Sequence, residues 1–349
     1  MLRVIQGDKN DEWDEIVKSF PDHDVYYLNG YLHGFSLHGD GHPLLFYFEG
    51  SKIRAMNAVM RRDISDDPQF SSKLKPGKLF DIITPYGYGG WLIDGDGLTE
   101  DLDKEYSFWC ADHHIISEFV RFHPVLENAA KMNRMYHVVN LGETISMDLE
   151  SPEIIWSNLK SKNRNMIRKA RKFGVSIHHG NTREQYETFR RIYNETMERD
   201  EAKLYYFFEP AFYESIRNDL ADNAEVFYAM LEDKIIAASI MLYCGKRLNY
   251  HLSGTCTKFR SMAPSNLLLY EAALWGCEHG YKTLHLGGGV GSSEDGLLRF
   301  KKSFFRGKPK QYSVGCKVFL REQYDELIRM RSNEDNWEVD ASFFPQYRS

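Results

Sequence analysis

The stretch from Glu225 to Gly291 constrains the fold most. Glu225 to Glu232, Ile235 to Cys244 and Leu248 to Thr255 are apolar runs separated by short polar breaks, the first a turn at Asp233-Lys234. Breaks this short join antiparallel neighbours, so three consecutive antiparallel strands are expected. Ser265 to His279 is long enough for a helix. Thr283 to Leu286 then reads as a short strand running into Gly287-Gly-Gly-Val-Gly.

Upstream, Ser151-Pro152-Glu153 opens a new unit, because Ser is a good N-cap and Pro is tolerated in the first turn. Ile155, Leu159, Met166, Ile167 and Ala170 recur at helical spacing, which predicts one amphipathic helix from Pro152 to Phe173, ended by Gly174. A strand follows at Val175 to His179. Thr182 with Gln185 forms a capping box for a helix through Arg199, and Phe212 to Leu220 is another helix.

The first part is also α/β. Asn10 is placed to cap a short helix through Phe20, and Pro43 to Glu49 and Ile53 to Arg61 read as strands. Asp63 to Gly77 is polar, holds two prolines and reads as a surface loop. The strand Leu79 to Ile83 runs into Thr84-Pro85-Tyr86-Gly87-Tyr88-Gly89-Gly90. Its glycines suit a tight turn and its tyrosines, Tyr86 and Tyr88, a binding rim. Asp101 to His113 is expected as a helix, Ile115 to Phe122 as a strand, and Arg134 to Asp148 as strand and connector. The chain has 349 residues, enough for two domains at roughly 150 residues each. The expected division is residues 1–150, residues 151–318, and a C-terminal segment 319–349 packing back on the first domain.

Net charge is −6, which excludes a chain coated in basic charge for nucleic acid but leaves room for a local patch. Such a patch exists: Lys160, Lys162, Arg164, Arg168, Lys169, Arg171 and Lys172 form a run without an acid. Arg164, Arg168 and Lys169 are its candidates for contact with the phosphates of a tRNA or a nucleotide. The five cysteines are scattered without a CxxC pair, which fits buried thiols in a reducing compartment and argues against structural zinc. His113, His114 and Glu118 straddle a helix-to-strand junction, so no metal site is expected. The first residues lack an apolar leader and no run reaches the length of a membrane span, so a cytoplasmic protein without a membrane span is expected. The Gly287 to Gly291 run is not a P-loop, because no Lys-Ser/Thr follows, and no Gly-x-Ser-x-Gly is present.

One lysine stands out. If Leu297 to Phe305 is helical, Leu297, Lys301 and Phe304 share a face, and a lysine on an apolar face needs a partner or a task. Tyr250 and His251 alternate on one strand; Tyr250 is the candidate for acceptor contact and His251 a possible base. Glu294 and Asp295 lie in the preceding loop as alternative proton acceptors.

The ordered set Asn249-Tyr-His-Leu-Ser-Gly-Thr, Pro264-Ser-Asn-Leu-Leu-Leu-Tyr-Glu, Gly280-Tyr-Lys-Thr-Leu-His-Leu-Gly-Gly-Gly-Val-Gly and Phe300-Lys-Lys-Ser-Phe-Phe resembles the FemAB-like family, which is related to GNAT enzymes. The basic helix from Asn158, Pro85-Tyr-Gly-Tyr-Gly-Gly and Arg121-Phe-His-Pro fit the same pattern. The resemblance implies an α/β chain of two tandem GNAT-like domains with mixed, mostly antiparallel sheets. It implies an enzyme that transfers an acyl or aminoacyl group to an amine of a cell-wall or surface-polysaccharide precursor. The co-substrate is then an aminoacyl-tRNA or an acyl-CoA. It makes Lys301, Phe300 and Tyr250 the catalytic candidates, and Tyr86, Tyr88, Gly288, Gly289, Arg260 and Asn266 the substrate-binding ones. The turn from Lys258 to Asn266 has none of the glycines that a pyrophosphate loop uses, which weighs against acyl-CoA. An acyl-CoA-dependent acetyltransferase acting on an amino sugar and a non-catalytic ligand-binding protein on the same scaffold are the alternatives.

Overall fold

A computed structural model describes residues 1–8, 10–332 and 337–349. The chain divides into two units: Met1–Leu141 with Tyr312–Ser349, and Gly142–Gln311. The divisions fall at Leu141 and Gln311 rather than at 150 and 318, because a long strand runs past the first boundary and the last strand returns to unit 1.

Unit 1 begins with β1 (Leu2–Gln6), α1 (Asn10–Ser19), α2 (Asn29–His38), β2 (His42–Glu49), β3 (Ile53–Asp63), β4 (Phe80–Ile83), β5 (Leu92–Gly95), α3 (Glu100–Asp112) and β6 (Ile115–Arg121). Strand β7 (His137–Asp148) leads into unit 2. There follow α4 (Pro152–Asn158), α5 (Ser161–Lys172), β8 (Ser176–Gly180), α6 (Arg183–Arg199), α7 (Pro210–Asp219), β9 (Ala224–Leu231), β10 (Lys234–Cys244), β11 (Arg247–Thr255), α8 (Pro264–Glu278), β12 (Thr283–Gly287) and α9 (Gly296–Lys301). Strand β13 (Lys310–Val318) and α10 (Arg321–Ser332) complete unit 1.

In unit 1 the strand order is β1-β2-β3-β4-β6-β13, with β5 also paired to β3. In unit 2 it is β7-β12-β11-β10-β9-β8. Among the described strands each unit has one parallel pair, β4 with β6 and β11 with β12, beside antiparallel neighbours. In both cases a helix, α3 or α8, lies between the two parallel strands in sequence, as a parallel connection requires.

Helix α8 shows little amphipathic contrast because apolar residues cover most of its surface and eight of its fifteen residues are buried. Leu267, Leu268, Leu269, Ala272 and Ala273 are at most 2% exposed, and the helix packs against α4, α5 and the sheet of its own unit. Each fully buried leucine contributes about 2 kcal/mol. The capping signals of unit 2 hold: Ser151 accepts from Ile154 N at 3.3 Å, and Thr182 and Gln185 form the capping box of α6.

Three expectations need correction. The single helix from Pro152 to Phe173 is two, because Leu159 and Lys160 are extended. Leu159 is fully buried and Lys160 N donates to Ser303 O at 2.9 Å, so packing wins over local helical preference. The polar segment from Asp63 to Gly77 is not a plain surface loop, since Ile64 and Phe70 are fully buried in a cluster with Tyr347. Third, β1, α2 and β5 are additional elements. Helix α2 has no polar face to reveal it: Asn29, Gly30, Tyr31, Leu32, Gly34 and Phe35 are all buried. The backbone of α1 starts at Asn10, as the cap assignment requires, but the Asn10 side chain lies outside the described residues.

The last residues are fastened into unit 1. Asp81, 1% exposed, accepts from Arg62 Nε at 2.8 Å, Tyr347 OH at 2.9 Å and Arg348 Nε at 2.6 Å. Burial works to raise the Asp81 carboxyl, but the two guanidinium groups outweigh it and hold the carboxyl below its ordinary value.

Candidate active site

The site in unit 2 is built where two parallel strands part. Strands β11 and β12 pair only from Arg247–Thr283 to Asn249–His285. Beyond that point β11 carries a bulge: Ile240 pairs with Leu252 and Met241 with Tyr250, which leaves His251 as an extra residue. On the other strand, β12 ends at Gly287, whose φ of +77° turns the chain into the glycine run.

The bulge replaces the expected alternation of Tyr250 and His251. It shifts the phase of the strand, so that Leu248, Tyr250 and Ser253 face one way, opposite Tyr243, Met241 and Ser239. Tyr250 OH therefore reaches Ser253 Oγ at 2.6 Å. Burial raises the phenol above its ordinary value, opposed by that hydrogen bond.

Helix α9 is short and firmly started. Asp295 Oδ1 accepts from Leu298 N at 2.7 Å, and Oδ2 from Val290 N at 3.0 Å. The expected face of Leu297, Lys301 and Phe304 is corrected: Leu298 is the buried leucine, while Leu297 is 40% exposed. Phe304 is fully buried, but in the turn after the helix, which ends at Lys301. Phe300 packs edge-to-face on Phe304, with ring centroids 5.2 Å apart, as part of the surrounding core.

Lys301 is the centre of the arrangement. It is 8% exposed, its Nζ donates to Gly288 O at 2.7 Å, and it lies 6.0 Å from the centroid of the Tyr250 ring. The ammonium thus sits between the parted ends of β11 and β12. Burial pushes its pKa from 10.5 down to about 8, with the Asp295 carboxylate opposing. Gly288 has to be glycine: a Cβ there would stand 2.8 Å from Glu143 O. Gly289 lies against Ser293 and Asp295. At this spot the protein offers a partly desolvated cation, a phenol and a loop of close-approaching backbone, the parts that orient a carbonyl and stabilise a developing oxyanion.

The other candidates sort out clearly. Burial lowers the His251 imidazole to about 3, so it is neutral and a poor base near neutral pH. Asp295 is committed to capping, and Glu294, 79% exposed, pairs with Lys302. Arg260 is an exposed residue of a 3-10 turn before α8. Asn266, in the first turn of α8, donates from Nδ2 to Asn163 Oδ1 at 2.8 Å. In that turn Pro264 has no N–H to offer, and Asn266 N is used by Ala263 O at 3.2 Å. On α5, Arg168 lies 5.3 Å from the Trp156 ring and Lys169 5.9 Å from the Phe173 ring, while Arg164 reaches Ser161. Among the described residues no carboxylate pairs with these three, whereas Arg171 pairs with Glu271 at 2.8 Å.

Tyr86 and Tyr88 belong to unit 1 and an aromatic cluster there. Tyr88 lies 5.5 Å from Tyr26, 5.6 Å from His123 and 5.8 Å from Tyr312 between ring centroids. Tyr31 OH donates to Tyr86 O at 2.5 Å. Beneath them a fully buried pair joins His123 Nε2 to Asp24 Oδ2 at 3.0 Å. Glu118 is fully buried too, accepting from Asn57 Nδ2 at 2.9 Å and Tyr136 OH at 2.7 Å. Among the described residues no group of three or more His, Cys, Asp or Glu could hold a metal ion, and no helix is long and apolar enough to cross a membrane.

Sequence reasoning passed over Asn163, Ser253 and Lys302. Asn163 had a signal: it stands four residues before Ile167 and seven before Ala170, on the buried side of α5. Ser253 had none, because a bulge breaks the period that would align it with Tyr250.

Known proteins resemble this chain in part of its sequence and in its fold. Residues 157–302 match the family model of the acetyltransferase (GNAT) domain. Over 177 residues the chain is 28% identical to the UDP-N-acetylmuramoylpentapeptide-lysine N(6)-alanyltransferase of Weissella viridescens, an overlap of 48% of this chain and 50% of the relative. The match thus spans about half the length of that relative. Among solved structures, FemX superposes with a TM-score of 0.66 at 15% identity, covering 93% of this chain and 99% of FemX. A conserved protein of unknown function from Bacteroides thetaiotaomicron gives 0.58 at 12% identity, covering 90% and 98%. The C-terminal domain of a putative lysylphosphatidylglycerol synthetase from Agrobacterium fabrum gives 0.55 at 14%, covering 92% and 97%. These structural likenesses establish the α/β fold. The chain therefore carries a match to the GNAT acetyltransferase domain over residues 157–302 and has an α/β fold similar to that of FemX.

Proposed function

We propose that this chain is an acyltransferase that moves an aminoacyl group from an aminoacyl-tRNA to a primary amine of a cell-wall precursor in the cytoplasm. The observation that carries the reading is the buried Lys301 ammonium held between Tyr250 and Gly288. The name of the Weissella relative, an alanyltransferase acting on a muramoylpentapeptide lysine, supports the same class of reaction.

In this reading the neutral acceptor amine attacks the ester carbonyl of the donor. A C–N bond forms, the carbonyl oxygen takes up negative charge, and Lys301 donates to that oxyanion. Collapse breaks the ester C–O bond, and the leaving ribose oxygen takes the proton the amine gives up. Tyr250 orients the acceptor, with its hydroxyl fixed by Ser253. Phe300 shapes the wall beside Lys301, and Gly288 and Gly289 let the substrate approach the backbone. Arg164, Arg168 and Lys169 meet donor phosphates. Arg260 and Asn266 contribute further substrate contacts in unit 2, and Tyr86 and Tyr88 form an aromatic binding rim within unit 1. The first turn of α8 offers few free N–H groups, which disfavours a CoA pyrophosphate there.

The test incubates the purified chain with a muropeptide precursor and either alanyl-tRNA or acetyl-CoA, and reads the product by mass. An alanyl adduct with the tRNA donor, reduced at least about tenfold in Lys301→Met, is expected. An acetyl adduct alone would overturn the donor assignment, and full turnover in Lys301→Met would overturn the role of the lysine.

A further inference from the structure

Lys301 and Lys302 are neighbours in sequence that leave the end of α9 in opposite directions. Lys301 runs inward to Gly288 O. Lys302, 24% exposed, runs outward to two carboxylates, Glu294 Oε1 at 2.6 Å and Glu143 Oε2 at 2.8 Å. Glu294 belongs to the loop between β12 and α9, and Glu143 to β7. One ammonium therefore ties the loop to the strand beneath it.

The loop meets β7 at two further points. A Cβ at Gly142 would stand 2.7 Å from Ser292 O, and Gly288 packs against Glu143 O. Within the loop, Asp295 gathers Val290 N and Leu298 N. The same segment supplies the carbonyl that receives Lys301, so whatever holds the loop on β7 also sets the surroundings of Lys301.

We propose that Lys302 is a positioning residue: by bridging Glu143 and Glu294 it latches the Gly288–Gly296 loop onto β7 and keeps Lys301 sealed beside Gly288 and Tyr250. The inference rests on the reading of Lys301 as the charged group of the transfer. Its chemistry is that of solvent-accessible ion pairs, which are individually weak, so the latch is able to open. Opening admits water to Lys301 and removes the desolvation that lowers its pKa. The groups facing Lys301 are the Asp295 carboxylate, the Tyr250 ring and the Gly288 carbonyl, while Lys302 faces Glu143 and Glu294, with Arg299 near the latter.

The test labels the intact protein with trace acetic anhydride across a pH series and reads the Lys301 peptide by mass spectrometry. Wild type should show a midpoint near the buried value of about 8. In Lys302→Met, and independently in the Glu143→Gln/Glu294→Gln double variant, the midpoint should rise by at least about one pH unit toward that of a free lysine. Lys302→Arg should restore it. A midpoint that stays put in both variants overturns the latch. Labelling needs no substrate, so this result is separate from the turnover of Lys301→Met, which tests the transfer reading itself.

Discussion

Lys301 Nζ donates a 2.7 Å hydrogen bond to Gly288 O, joining the end of a six-residue helix to the loop that follows a parallel strand. That contact fixes where a positive charge stands in unit 2, and its burial sets when the charge is present.

The first prediction is a pH profile. Lys301 is charged below about 8 and neutral above it. If its charge serves the transition state, the rate falls as pH rises through that value. Lys301→Arg should lose this alkaline limb, because a guanidinium stays protonated, though at a lower rate. Initial rates from pH 6 to 10 check it.

Stability should move the opposite way. The folded-state pKa of about 8 lies below the ordinary 10.5, so between these values the unfolded chain binds the extra proton. Stability then rises with pH across that window, by at most about 3 kcal/mol. Lys301→Met should show no such rise and should match or exceed wild type below pH 8. Urea unfolding at pH 7 and pH 10 measures both.

Gly288→Ala places a methyl group 2.8 Å from Glu143 O. The backbone has to move, at a cost of about 1–3 kcal/mol, and the carbonyl that receives Lys301 moves with it. Turnover should fall more than tenfold while the melting temperature drops by only a few degrees, as read by calorimetry and single-turnover assay.

Replacing Arg164, Arg168 and Lys169 with glutamine should weaken tRNA binding at low salt. Each lost phosphate contact should lower the slope of log affinity against log salt by about one. Filter binding between 50 and 300 mM salt reads the slope; an unchanged slope would remove α5 from the donor site.

In unit 1, Arg348→Ala leaves Asp81 with only part of its compensation. A loss of about 3 kcal/mol is expected. Because the Asp81 pKa lies below its ordinary value, its contribution is present above the unfolded pKa and fades as pH falls through the folded one. The gap between variant and wild type should therefore narrow in acid.

The strands and helices of unit 2 were legible because their breaks are short and their caps are local. Ser151, Thr182 and Gln185 hydrogen-bond within three residues, so neighbours in sequence decide them. Leu159 was not legible as a break, since it is set by Ser303 and a distant core. Helix α2 hid for the reverse reason: it is buried and shows no amphipathic contrast. At the site, Lys301 could be singled out on its expected apolar face, but its partner Gly288 O is a backbone atom that no residue type announces. Lys302 looked like any exposed lysine until two carboxylates, one from β7 and one from the loop, were seen to converge on it.

The extra residue in β11 behaves like an inserted letter in a two-letter code. Everything after His251 is read in the other frame: Ser253 turns toward Tyr250, and Gly254 turns to the backbone of α6 at Ile192. Removing His251 would shorten the chain by one residue yet leave every later partner in place, because Leu252 would still stand opposite Ile240 and Ser253 opposite Ser239. A relative with one residue fewer between the equivalents of Tyr250 and Ser253 would keep the pair on one face by plain alternation, whereas one of equal length without the bulge would turn its serine to the other side.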